Sequence, residues 1–209
     1  FTFSEAVTGF SIDDISVVNG NLSNFVSVNG YTYTVNVTPS GQGQVTVDVA
    51  AGVATDAADN SNTAATQFVR TYDTVSPSVS IDSTVGSSTN VSPFRVTITF
   101  SEAVTGFTRN DITFIHCMVN DPLYTTDNIV FTVDVYPTLQ DTLTINVAAG
   151  VTTDAAGNNN TAATEFTRTY DSERPRASIS SSAAANVNSS FTANVQFSEV
   201  VTGFALDDI

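Results

Sequence analysis

Oxygen-bearing side chains recur along this chain at spacings suited to a hard divalent cation. Glu5 and Asp14, Glu102 and Asp111, and Glu199 and Asp208 are three pairs with the same nine-residue offset. Asp56 with Asn60 and Asp154 with Asn158 sit in two copies of one loop, AAGVATDAADN and AAGVTTDAAGN. Asp73 and Asp171 end a third repeated phrase, FVRTYD and FTRTYD. Ca2+ takes roughly six to eight oxygens from carboxylates, Asn side chains, backbone carbonyls and water, whereas Mg2+ gives up its water reluctantly. Asp13 and Asp207 are replaced by Asn110 in the middle copy, so Asp14, Asp111 and Asp208 are the candidate ligands, not their neighbours. The competing reading is that these acids cap turns, since Asp before a strand and Asp-Ala-Ala-Gly-Asn are both good turn formers. Neither loop matches an EF-hand.

Other chemistries fare worse. His116, Cys117 and Met118 stand together, but the chain has one His, one Cys and one Met, and the aligned stretch of the first copy, SVVNGN, has none of them. A structural role is therefore expected, rather than a copper site or a nucleophile. One His cannot supply a Ser-His-Asp set in every copy. One Cys allows neither an intrachain disulfide nor a Cys-rich zinc site. The absence of Lys removes Schiff-base chemistry and Lys–Asn isopeptide cross-links. Paired carboxylates for glycoside hydrolysis would lie in loops with few aromatics to hold a sugar. For a carbohydrate-binding platform the candidates are Tyr124 and Tyr136 of the second repeat, for both of which a core or edge role is expected. No enzymatic activity is expected. With 21 Asp and Glu against 6 Arg, a net charge of −15 makes nucleic acid and anionic membrane surfaces poor partners. No apolar run is long enough for a membrane span. A hydrophobic fraction of 41% still excludes a disordered acidic tail.

The elements that must position the acids repeat with them. FSEAVTGFSIDDI, FSEAVTGFTRNDI and FSEVVTGFALDDI begin at residues 3, 100 and 197, an interval of 97 each time. That period is too long for a solenoid and suits a whole β-sandwich. Prolines in YDTVSP and YDSERP mark stiff linkers. The expected division is 1–73, a repeat without its first strand; 74–171, a complete repeat; and 172–209, the first two strands of a third. The chain thus reads as a window cut from a longer array. Seven strands are expected in the complete repeat. They are about 78–84; FRVTITF with Phe94, Val96, Ile98 and Phe100 inward; one strand from Asp111 through Val119; a short one near 122–127; IVFTVDV with Ile129, Phe131, Val133 and Val135 inward; TLTINVA with Leu143, Ile145 and Val147 inward; and about 163–170. Tyr31, Tyr33, Val35 and Val37, then Val45, Val47 and Val49, take the same positions in the first repeat. The fold class is all-β, a tandem array of immunoglobulin-like sandwiches.

Strand direction then places the loops. Loops 101–110 and 149–161 belong at the pole facing the preceding repeat, where Asp73 arrives. Four carboxylates held together there need a counter-cation, which Arg109 and Arg168 offset only partly. Ca2+ at the junctions is the expected cofactor.

The phrases FSEAVTGF-x-x-x-DI, AAGV-x-TDAAGN and TYD-x-x-x-P resemble the bacterial Ig-like repeats of giant secreted surface proteins, among them extenders of biofilm-type and repeats-in-toxin-type adhesins. That resemblance implies an array projecting from a bacterial cell surface, often stiffened by Ca2+ at its joints. Two departures stand out: IHCMVNDPLYTTDN differs from the matching part of the first repeat, and DAADN lacks the Gly of DAAGN. The expected function is an extracellular, non-catalytic spacer whose partners are neighbouring repeats. The alternatives are a filament or surface-layer subunit, joined to other copies by strand exchange, and a carbohydrate-binding accessory module of a secreted enzyme.

Overall fold

The computed structural model describes residues 1–119 and 123–209. Alternation of apolar residues with Thr, Ser and Asn gives strands throughout. The first repeat holds β1 (Ile15–Val18), β2 (Gly20–Ser27), β3 (Tyr33–Pro39), β4 (Gly43–Val49) and β5 (Phe68–Tyr72). Then come β6 (Val79–Ser83), β7 (Ser88–Thr89), β8 (Phe94–Phe100), β9 (Ile112–Ile115), β10 (Cys117–Val119), β11 (Tyr124–Thr125), β12 (Val130–Pro137), β13 (Thr142–Val147) and β14 (Phe166–Tyr170). A final hairpin pairs β15 (Ala177–Ser180) with β16 (Asn194–Phe197). Among the described residues the only other regular structure is three short 3-10 turns, Ile12–Asp14, Arg109–Asp111 and Leu206–Asp208.

Residues 79–119 and 123–170 form an immunoglobulin-like sandwich. One sheet has the order β10-β12-β8-β6, with β11 also along β12; the other has the order β7-β14-β13-β9. Phe94, Val96, Ile98, Phe100, Phe131, Val133 and Val135 from the first sheet meet Leu143, Ile145, Val147, Ile112 and Phe166 from the second. Burying each such side chain stabilises the fold by about 1.5–3 kcal/mol. In the first repeat β1-β4-β5 and β2-β3 form a smaller pair of sheets around Phe10, Tyr33, Val47 and Val49.

Several expectations are corrected. The strand read as continuous from Asp111 to Val119 is two strands in different sheets. Asp111 closes a 3-10 turn, and His116, at φ 56°, breaks the run between β9 and β10. Asn19 makes the same left-handed break in the first repeat. A strict period of two does not mark this as a change of sheet: the residue at the crossover shifts the inward positions from Ile112 and Phe114 to Cys117 and Val119, as a bulge within one sheet would. Cys117 points inward and Met118 outward. The strand near 122–127 shrinks to β11, with Pro122 outside the described residues. Strand β7, parallel to β14, has no period to betray it at two residues. Ile129 precedes its strand and is half-buried. Tyr31 is 44% exposed while Tyr33 is buried.

Candidate metal centre at the domain junction

The loop after β8 is shaped by its own two phenylalanines. Phe100 and Phe107 pack edge to face at 5.0 Å, as Phe3 and Phe10 do at 5.1 Å and Phe197 and Phe204 at 4.9 Å. Gly106, with φ 81°, supplies the left-handed turn that brings the second ring back over the first. Glu102 rides between these anchors. The loop after β13 is tied beside it by Thr105, whose N–H donates to the Thr153 carbonyl at 2.7 Å; Thr8 and Thr55 repeat this at 2.8 Å.

The second loop is braced from inside. Asn160 is buried and uses its whole amide: Oδ1 accepts from the N–H of Val151 and Thr152, and Nδ2 donates to the carbonyls of Ala148 and Thr161. Asn62 does the same in the first repeat. Sequence reasoning missed both; their interval, equal to that of Asp56 and Asp154, was the available signal. Asp154 closes the turn by accepting from the N–H of Ala156 and Asn158 and from Asn158 Nδ2. Asp56 accepts the equivalent bonds from Ala58 and Asn60. Asp59 in DAADN takes φ 63° where Gly157 takes 92°, so the turn survives the change of residue.

The segment that follows β5 brings Asp73 to this pole. Pro77 of the linker is fully buried and its carbonyl accepts from Thr161 N–H at 2.9 Å. Asp73 Oδ1 accepts from Val75 N–H, and the Asp73 carbonyl accepts from Asn158 Nδ2 at 3.2 Å. Carboxylate oxygens of Asp73, Glu102 and Asp154 then lie within 4.8 Å of one another. Burial, then the negative charges of Asp73 and Asp154, push the Glu102 carboxyl up from its ordinary value. Asp154 is held below its ordinary value: burial pulls it up, but the bonds from Asn158, Ala156 and Gly157 together outweigh that.

Asp111 is not in this group. Its Oδ2 accepts from the N–H and hydroxyl of Thr108, at 2.7 and 2.8 Å, closing the 3-10 turn. Asp14 bonds Ser11 in the same way, and Asp208 accepts from Ala205 N–H. Glu5, Asp56 and Asn60 line one cleft at the matching pole of the first repeat. At the second joint Asp171 accepts from Glu173 N–H and Glu199 follows β16; no group of three acids forms there among the described residues. The guanidinium groups lie elsewhere. Arg168 stacks on Phe166 and donates to the Val85 carbonyl, and Arg109 lies over Phe114. Neither makes an ion pair among the described residues. Among the described residues none of the three acids makes an ion pair, and three carboxylates together are the donor chemistry Ca2+ takes. Tyr124 and Tyr136 both face out from one sheet but lie roughly 13 Å apart along it, since Tyr124 pairs with Thr132.

One family model, described as a bacterial Ig-like domain, matches residues 1–71 and 73–170. No curated protein and no solved structure matches the chain.

Proposed function

Because the chain belongs to the bacterial Ig-like domain family, we propose that it is a non-catalytic spacer of a bacterial cell-surface protein, divided into repeats at 1–73, 74–171 and 172–209, with Ca2+ stiffening its joints. The observation that carries this is the meeting of Asp73 from one repeat with Glu102 and Asp154 from the next. A cation shared by the three would join the end of one sandwich to two loops of its neighbour, and so remove hinge freedom. Asp73, Glu102 and Asp154 would hold the ion, with Asn158 fixing the turn; Asp111 would act through the loop it caps. Asp171 and Glu199 would serve the next joint, as Glu5, Asp56 and Asn60 would serve a joint on the other side.

Binding to the folded state alone adds stability in proportion to the logarithm of ion concentration. Calcium titration by calorimetry, with scattering in calcium and in chelator, tests the reading. Binding lost in Asp73→Asn, together with a narrower spread of interdomain angles in calcium, is the expected result. A chain with the same melting temperature and scattering in both conditions would not be a calcium-stiffened spacer.

Assembly by strand exchange has one observation in its favour. Val35, Val37, Val47 and Phe68 line an open apolar cleft, and Phe68 is 50% exposed where its counterpart Phe166 is 5% exposed. Sedimentation across a range of concentrations separates this reading from the first: a constant mass removes it.

A further inference from the structure

Each linker leaves its sandwich through a pair of hydrogen bonds that owes nothing to acid residues. Thr74 N–H donates to Gln42 Oε1 at 3.1 Å, and Gln42 Nε2 donates to Thr74 Oγ1 at 2.7 Å. Ser172 N–H donates to Gln140 Oε1 at 2.8 Å, and Gln140 Nε2 donates to Ser172 Oγ at 2.7 Å. Both glutamines stand three residues after a proline, in PSGQ and PTLQ, and 32 residues before their partners. The match is chemical as well as positional. A primary amide presents an acceptor and a donor side by side, and a Ser or Thr in extended chain presents an N–H and a hydroxyl side by side. The loops that carry the glutamines are themselves braced, by the left-handed residues at the sheet crossovers. Asn19 Nδ2 donates to the Gly41 carbonyl at 2.8 Å, and its own carbonyl accepts from Ser40 N–H. The His116 carbonyl accepts from Thr138 N–H, and its Nδ1 lies 2.9 Å from the Thr142 carbonyl.

We infer that Gln42 and Gln140 are the positioning residues of the joints, an amide clasp that sets the direction in which each linker leaves its domain, with or without a cation. Thr74 is gripped by the repeat before it, while the adjacent Asp73 carbonyl is gripped by Asn158 of the repeat after it. Consecutive residues of the linker are thereby bonded to opposite sides of the joint. Without the clasp, Asp73 would be held only from the following domain, and the first domain could swing about Tyr72. The inference rests on the spacer reading of the chain but not on its calcium.

The test uses the full chain in chelator, with spin labels at the equivalent exposed positions Ser16→Cys and Thr113→Cys; buried Cys117 takes no label. Gln42→Ala should broaden the interlabel distance distribution and speed hydrogen exchange of the Thr74 amide about threefold to tenfold, the span set by one net hydrogen bond. The Ser172 amide in the same molecule should not change. Gln140→Ala should do the reverse, leaving the distances and Thr74 as in the wild type. Thr74→Val should broaden the distances as Gln42→Ala does. Both glutamines are exposed, so neither substitution disturbs a core. Distances and Thr74 exchange unchanged in Gln42→Ala would overturn the inference, even if calcium still stiffened the joint. A Gln42 effect in a chain that ignores calcium would support the clasp and remove only the cation.

Discussion

Asn158 donates its side-chain amide to the backbone carbonyl of Asp73 at 3.2 Å, a hydrogen bond between residues 85 apart in sequence. The same amide also donates to Asp154 Oδ2 at 2.8 Å. One Asn therefore shapes an acidic turn and attaches that turn to the chain just after β5. This makes the junction a built contact rather than a slack tether.

Glu102→Gln should separate stability from ion binding. The folded chain raises the Glu102 carboxyl through burial and the charges of Asp73 and Asp154. A raised folded value means that ionised Glu102 opposes folding at neutral pH, and that the opposition is relieved as pH falls through the raised value. The Gln variant should then melt higher than the wild type in chelator and lower than it in saturating calcium. Calorimetric scans in the two buffers check the crossing; the same order in both would show that the three acids do not share an ion.

The turn acid behaves with the opposite sign. Asp154 is depressed in the folded state, so its contribution is present above the unfolded carboxylate range and lost as pH falls through the lower folded value. Metal-free Asp154→Asn should therefore lose stability less steeply than the wild type below about pH 4. Denaturant midpoints from neutral to strongly acid pH, measured for both proteins, give the two slopes.

His116 sits at φ 56°, where the crossover between sheets demands a left-handed residue. His116→Val should cost about 1–2 kcal/mol, the penalty of the left-handed conformation for an ordinary side chain. His116→Asn, which copies Asn19 of the first repeat, should change stability by less than about 0.5 kcal/mol. Urea midpoints at constant slope provide the comparison.

Leu143 is wholly buried between the two sheets, where its side chain meets the core of the complete repeat. Leu143→Ala should destabilise that repeat by about 2–5 kcal/mol. Differential scanning calorimetry should show the complete repeat melting at a lower temperature.

Much of the architecture was legible because the sandwich has a period and the chain repeats it. Phe94 to Phe100 and Leu143 to Val147 alternate without a break, since each strand puts one face in the core and the other in water. Three copies of the Phe-Ser-Glu phrase locate the loops, and strand direction assigns two of them to one pole. The family follows from the same phrases. What alternation hides is that the shift of phase at Asn19 and His116 is a change of sheet, since a bulge within one sheet would shift it equally. It also hides which oxygen of an acid is already occupied. Asp111 and Glu102 look alike in the sequence, yet the first spends an oxygen on Thr108 while the second is left beside Asp73 and Asp154.

By itself, then, the order of residues determined most of the strands, the repeat and the set of acids that could meet. Tertiary structure alone decided which did: Asp73, Glu102 and Asp154 at one junction, with Arg109 and Arg168 stacked on aromatic rings instead of beside them. The reason is physical. Strand pattern depends on side chains two residues apart, which sequence records directly. A junction depends on hydrogen bonds from Asn158 and Gln42 to linker atoms far along the chain, and their geometry exists only once both domains have folded.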